Sequence, residues 1–209
     1  MARTWPFERH TNEYEEWFEK NRGAYLSEID AVRSLMPKNG KGLEIGVGSG
    51  RFAKPLGIRT GIEPSERMAE IARERGIKVF EGTAEDLPFG DSTFDIVLMV
   101  TTICFVDDVD EAIAEAYRVL RPSGCLIVGF VDRKSPVGRS YMRHKDQSIF
   151  YKDAAFFSVE EVARSMERAG FSEPVYAQTI FRPLSEIEGP EPVRRGYGEG
   201  SFVVVRAVK

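Results

Sequence analysis

Apolar residues follow two rhythms along the chain. In some segments they recur every three or four positions among charges, on one face of a helix; in others they run unbroken between glycine or proline, as in a strand covered on both sides. Tyr14, Trp17, Phe18, Tyr25, Ile29 and Val32 keep the first rhythm and predict a helix over 11–36, broken by Pro37, Asn39 and Gly40. Gly42–Ile45 reads as a short buried strand that runs into a cluster of glycines. A strand over 59–62 precedes a helix over 65–76, with Ser65 as N-cap and Gly76 as stop. Strands follow at 77–80 and Phe94–Val100, then a helix over 107–120, a turn at Arg121-Pro122-Ser123-Gly124 and a buried strand over 125–131.

Strand and helix therefore alternate over the first 131 residues. That order predicts an α/β fold, a doubly wound sheet that is mostly parallel with helices on both faces. Ser158 with Glu161 makes a capping box for a helix over 158–169, which Gly170 ends. Two last strands, near 174–182 and 201–208, are joined by a Pro/Gly-rich loop and so are antiparallel. The expected sheet has seven strands, the last of them antiparallel. One domain accommodates the whole, with segments 1–36 (helical), 37–131 (core), 132–157 (an insertion) and 158–209 (last helix and strands).

Composition narrows the possibilities. At 209 residues, with 42% hydrophobic and 30% charged positions, the chain can bury a core without staples. Two cysteines and two histidines exclude a disulfide scaffold and leave too few soft ligands for a zinc ribbon or an iron–sulfur protein; no metal is expected. A net charge of -4 gives no footprint for nucleic acid or an anionic membrane. There is no signal-peptide core, and the longest apolar run, 96–100, cannot span a bilayer, so the expected location is cytoplasmic.

The most informative stretch is Leu43-Glu44-Ile45-Gly46-Val47-Gly48-Ser49-Gly50-Arg51-Phe52. Glycines after a first strand allow a tight turn and let a ligand lie against bare main chain. A dinucleotide site has the spacing G-x-G-x-x-G, but here it is G-x-G-x-G and Arg51 holds the third dinucleotide position. Glu44, two residues before the first glycine, would repel a pyrophosphate and attract an ammonium or sulfonium. Glu63, at the end of the second strand, is placed to accept hydrogen bonds from ribose hydroxyls. Together these acids point to a nucleoside with a cationic tail; a turn that serves only strand–helix packing is the other reading.

Later loops fall on the same rim of the sheet. The ordered series Leu-Glu-Ile-Gly-Val-Gly-Ser-Gly-Arg-Phe, Gly-Ile-Glu-Pro-Ser, Gly-Thr-Ala-Glu-Asp-Leu-Pro-Phe, Ser-Thr-Phe-Asp-Ile-Val and Arg-Val-Leu-Arg-Pro-Ser-Gly resembles the motifs of class I S-adenosylmethionine-dependent methyltransferases. The similarity is greatest to the broad ubiquinone/menaquinone-biosynthesis-like subgroup. The resemblance covers about residues 42–130, with Glu at 44 and 63 where Asp is commoner, and Ser123 where a second Gly is usual. It implies a Rossmann-like sheet, S-adenosyl-L-methionine as cofactor and a methyl acceptor as partner. It also implies roles: Gly46, Gly48 and Gly50 as backbone cradle, Glu44 at the methionine end, Glu63 on the ribose, Pro64 and Met68 beside the adenosine. Ala84 and Glu85 would line the adenine, and Thr101 and Thr102 would contact the methionine portion.

The acceptor is less legible. Direct displacement from a sulfonium needs positioning more than acid–base chemistry, and no general base stands out, so no catalytic residue is named. Cys104 reads as a small buried thiol or as a residue near the acceptor; His10 and His144 read as solvated. Tyr14, Trp17, Phe105 and Tyr141 are the candidate substrate residues. The segment 132–157, with Tyr141, Phe150, Tyr151, Phe156 and Phe157 among cations, reads either as a lid over an apolar or anionic small molecule or as a satellite core. A cofactor-binding protein without transferase activity, and a methyltransferase acting on a macromolecule, are the alternatives.

Overall fold

The structure, a computed structural model, describes residues 4–209. Five strands run parallel: β1 (Gly42–Ile45), β2 (Thr60–Ile62), β3 (Lys78–Phe80), β4 (Phe94–Val100) and β5 (Leu120–Val131). They are joined by β6 (Ser172–Thr179), β7 (Arg194–Arg195) and β8 (Phe202–Val208) into one sheet ordered β3-β2-β1-β4-β5-β8-β6-β7. The last strand, β8, lies antiparallel between β5 and β6.

The sheet thus has eight strands among the described residues, where the pattern predicts seven. The addition is β7, two exposed arginines that pair with Gln178 and Ala177 at the sheet edge. A pair of charged residues in a Pro/Gly-rich loop carries no apolar alternation, so only backbone pairing reveals it, and its charges blunt the open edge. The turn over 121–124 is drawn into the start of β5, with Ser123 in the left-handed region that a glycine would fill more cheaply.

The alternation along the strands builds two cores. Leu43, Ile45, Val97, Met99, Leu126 and Val128 face α6 (Val109–Val119) and α8 (Val159–Arg168). Ile96, Leu98, Val100, Ile127 and Val204 face the opposite side, where α2 (Thr11–Lys20), α3 (Arg22–Leu35), α4 (Ala53–Leu56) and α5 (Glu66–Glu74) contribute Phe18, Val32, Ala53 and Ala72. The capping box of Ser158 and Glu161 opens α8 as predicted.

The helix predicted over 11–36 is two helices. Asn21 leaves helical geometry at φ -111° and ψ 38°, and its side-chain amide donates to the Trp17 carbonyl at 2.9 Å. A short helix, α1 (Trp5–Arg9), precedes them, and α7 (Pro136–Arg143) lies in the insertion. The bend between α2 and α3 lets α3 pack along β5, β6 and β8 while α2 turns over the carboxyl ends of the parallel strands. Strand order reverses between β1 and β4, so a crevice opens beyond their ends. Among the described residues no helix is long and apolar enough to cross a membrane.

Candidate functional site

At that reversal lies a cavity of about 820 Å³. Its floor is the turn after β1. Gly46 (φ 65°) and Gly48 (φ 53°) both adopt the left-handed region, and a Cβ on Gly46 would fall 2.4 Å from Thr102 Cγ2. Only bare main chain fits there. The Thr102 hydroxyl lies 3.1 Å from the carbonyls of Ile45 and Val100 and bridges the ends of β1 and β4. Thr101 beside it has φ 53°, an uncommon conformation for a β-branched residue, and it lines the cavity.

Two carboxyls face this space. Glu63 accepts the Gly48 N–H at 2.7 Å through one oxygen and the Ser65 N–H at 2.9 Å through the other. Burial nevertheless pushes its pKa up to about 7, since these two donors offset only part of the desolvation. Each carboxylate oxygen keeps a second lone pair for a hydroxyl donor. Glu44 is 1% exposed and its Oε2 has no hydrogen-bond partner. Burial raises its pKa well above the carboxylate range, and the nearby Glu63 adds to the effect. A buried acid with one unpartnered oxygen, next to a second acid, suits a cationic ligand group.

The rest of the wall comes from Pro64, Met68, Thr83, Ala84 and Glu85 on one side and Phe7, Tyr14, Phe52, Phe105 and Val106 on the other. Glu85 Oε1 accepts the Asp107 N–H at 2.7 Å, so it ties the loop after β3 to the start of α6. Gly50 is outside this wall; its Cα packs towards Ile77 and Ala72, behind the turn.

A second cavity, of about 690 Å³, adjoins the first and shares Phe7, Tyr14, Phe52, Thr101 and Phe105 with it. Trp17, Tyr141, Phe150 and Tyr151 add further rings, and Glu13 and Glu28 add carboxyls. All four predicted substrate residues therefore line this space. The cations of the insertion do not: Arg133 pairs with Glu161 at 2.9 Å and Lys134 with Glu160 at 3.0 Å, away from the cavity wall.

Glu15 on α2 closes the arrangement from above. It accepts from the Ser49 hydroxyl, from Arg51 at 2.6 Å and from Arg75 at 2.5 Å, joining α2 to the glycine turn and to the end of α5. Burial raises its pKa, but Arg75, Arg51 and Ser49 outweigh that and hold it below the ordinary value. Glu15→Ala leaves two half-buried guanidiniums without this partner and frees α2. The expected result is a rise of about tenfold in the dissociation constant for ligands of the first cavity, read by calorimetric titration, with a faster off-rate.

Sequence reasoning found the turn and its acids but missed Phe7, Phe52, Glu28 and the Glu15 clamp. Phe7 and Phe52 carry the apolar signal of core residues. Glu15 and Glu28 sit among many helical carboxylates, and nothing in the local pattern sets them apart.

A doubly wound sheet whose switch-point crevice holds a glycine turn and two buried acids defines a nucleoside-binding protein of the Rossmann-like class. Residues 43–128 match the family model described as "Methyltransferase domain". A crystal structure from Thermotoga maritima, described as an S-adenosylmethionine-dependent methyltransferase and possible histamine N-methyltransferase, is 58% identical. The match covers 99% of each chain with a TM-score of 0.97. An uncharacterized protein of Methanocaldococcus jannaschii is 45% identical over 97% of this chain and 98% of its own length. A demethylmenaquinone methyltransferase of Tropheryma whipplei is 29% identical over 71% of this chain and 74% of its own.

The chain belongs to the class I S-adenosylmethionine-dependent methyltransferases. It is a methyltransferase, and S-adenosyl-L-methionine is its cofactor.

Proposed function

We propose that this enzyme methylates a small-molecule acceptor held in the second, ring-lined cavity, with the cofactor in the first. The observation that carries the reading is the shared wall: Thr101, Tyr14 and Phe105 belong to both cavities, so cofactor and acceptor meet across a few side chains. The likenesses to a possible histamine N-methyltransferase and to a demethylmenaquinone methyltransferase support a small acceptor as well. The latter is also what supports a ubiquinone/menaquinone-like kinship.

In this reading Gly46 and Gly48 cradle the cofactor with bare backbone. Gly50 sets the turn from behind. Glu44 meets the cationic methionine end through its unpartnered oxygen, with Thr101 and Thr102 beside it, and Glu63 accepts the ribose hydroxyls. Pro64, Met68, Ala84 and Glu85 enclose the nucleoside. The cofactor supplies a methyl group on a sulfonium, which is activated enough for direct displacement. The residues bind, orient and exclude water; Phe105, Tyr14 and Phe150 shield the junction, and orientation is the larger part of the rate enhancement. Segments 1–36 and 132–157 act as cap and lid on the core within one domain.

Incubating the enzyme with labelled cofactor and a metabolite extract yields a labelled small product. Label found only in protein or nucleic acid overturns the small-molecule reading.

The raised carboxyls give this site a pH signature. Only ionised Glu63 can accept two hydroxyl donors, so cofactor affinity rises with pH by up to about tenfold per unit below 7 and levels off above it. In the ligand-free protein the sign is opposite. Glu63 and Glu28 hold their protons up to about 7 and about 8 against an ordinary 4.5, so their contribution to stability is full below 4.5 and is lost as pH rises through 7 and 8. Titration across pH, beside melting curves without ligand, separates the two trends; Glu63→Gln flattens the first.

A further inference from the structure

The second cavity holds an acid with no counter-charge. Glu28 lies in the middle of α3, is 5% exposed and lines the cavity, yet its carboxyl has no hydrogen-bond or ion-pair partner among the described residues. Its neighbours across the space are the phenols of Tyr141 and Tyr151, both close enough for its charge to raise their pKa. Among the described residues the wall has one other carboxyl, Glu13, which is engaged by His10 at 3.0 Å. Nine of the thirteen lining residues are aromatic, and none is Lys, Arg or His.

A carboxyl buried without a partner is costly, and burial alone pushes Glu28 up to about 8. Aromatic faces present negative potential and favour a cation placed against them. An anionic acceptor finds no cation in this wall to balance its charge, and a neutral hydrocarbon leaves the acid unpaired. We propose that the methyl acceptor is an organic amine, whose cationic nitrogen is held by Glu28 among the rings of Trp17, Tyr141 and Tyr151. This inference rests on the second cavity being the acceptor site.

Glu28 acts here as a positioning and specificity residue. The amine and the acid meet as an ammonium–carboxylate pair: a free-base amine takes the Glu28 proton, or an ammonium enters as that proton leaves to solvent. If the same nitrogen is the nucleophile, its proton passes to Glu28, its lone pair forms the bond to the methyl carbon, and the carbon–sulfur bonding pair leaves with sulfur as S-adenosylhomocysteine.

The test compares 2-phenylethylamine with 2-phenylethanol, which is nearly the same in shape but neutral, by calorimetric titration of the full chain saturated with S-adenosylhomocysteine. The wild type is expected to bind the amine at least about tenfold more tightly, and Glu28→Gln to abolish the preference while retaining S-adenosylhomocysteine binding. Equal binding of the two probes, no binding of either, or a preference that survives Glu28→Gln overturns the proposal. An alcohol preferred over the amine does so too, and would make Glu28 a base for hydroxyl acceptors. Should Glu28→Gln fail to fold, Tyr141→Leu reads the same contact from the ring side: the amine must lose several-fold more affinity than the alcohol, and equal losses sink the idea. Wild type that binds S-adenosylhomocysteine but no amine removes only this inference. Labelled cofactor that modifies macromolecules alone removes the acceptor reading beneath it.

Discussion

Replacing Glu63 with alanine weakens cofactor binding by at least about a hundredfold. The carboxyl has two tasks that alanine cannot share. Its two oxygens hold the N–H groups of Gly48 and Ser65, which fixes the glycine turn relative to the start of α5. Its remaining lone pairs are left to accept the ribose hydroxyls in the proposed binding mode. Hydrogen bonds to a charged group contribute about 1.5–3 kcal/mol each, so losing two from the ligand alone accounts for the factor. Stability should change little, because the desolvation that raises the pKa to about 7 disappears along with the hydrogen bonds. Calorimetric titration with S-adenosylmethionine measures the loss; a decrease under threefold would take Glu63 out of ribose recognition.

Gly46→Ala is the second large effect, and it acts on both fold and binding. The residue sits at φ 65°, and the new Cβ would fall 2.4 Å from Thr102 Cγ2 and 2.8 Å from its Oγ1. Thr102 cannot simply rotate away, since its hydroxyl is held between the carbonyls of Ile45 and Val100. Overpacking and left-handed strain together cost about 2–4 kcal/mol, a fall of roughly 5–15 °C in melting temperature for a chain of this size. The shifted turn also spoils the cradle, so cofactor binding is lost. Gly57→Ala is the control: it has a similar φ of 77° but nothing within 4 Å, and costs only the backbone term of about 1 kcal/mol. Adding Thr102→Ala to Gly46→Ala should recover part of the loss. No recovery would place the strain elsewhere.

Sequence signals were strong where a single short segment carries its own constraint. The glycine turn, Glu44 and Glu63 fall in one strand–turn–helix passage and the strand beside it, so their spacing already fixes their place at the sheet's rim. Ser158 and Glu161 announce a helix start within four residues. What stayed hidden depends on distant packing. Asn21 divides a continuous apolar periodicity because α3 must follow the sheet while α2 crosses its rim. β7 exists only as backbone pairing. Glu28 is an ordinary helical glutamate until docking of α3 on β5, β6 and β8 encloses it, and the rings around it come from positions 7 to 151. The cations of the insertion left an anionic acceptor open, but none of them lines the cavity, and Arg133 and Lys134 pair with Glu161 and Glu160 at the start of α8.

Five residues, Phe7, Tyr14, Phe52, Thr101 and Phe105, belong to the walls of both cavities. Any shift that one ligand makes in these side chains is felt on the other side of the partition. Any coupling between the two sides is reciprocal: whatever factor an acceptor in the second cavity adds to cofactor affinity, the cofactor returns to the acceptor. By the same linkage, demethylated cofactor left behind after turnover would set how tightly a methylated product is held in the adjoining chamber.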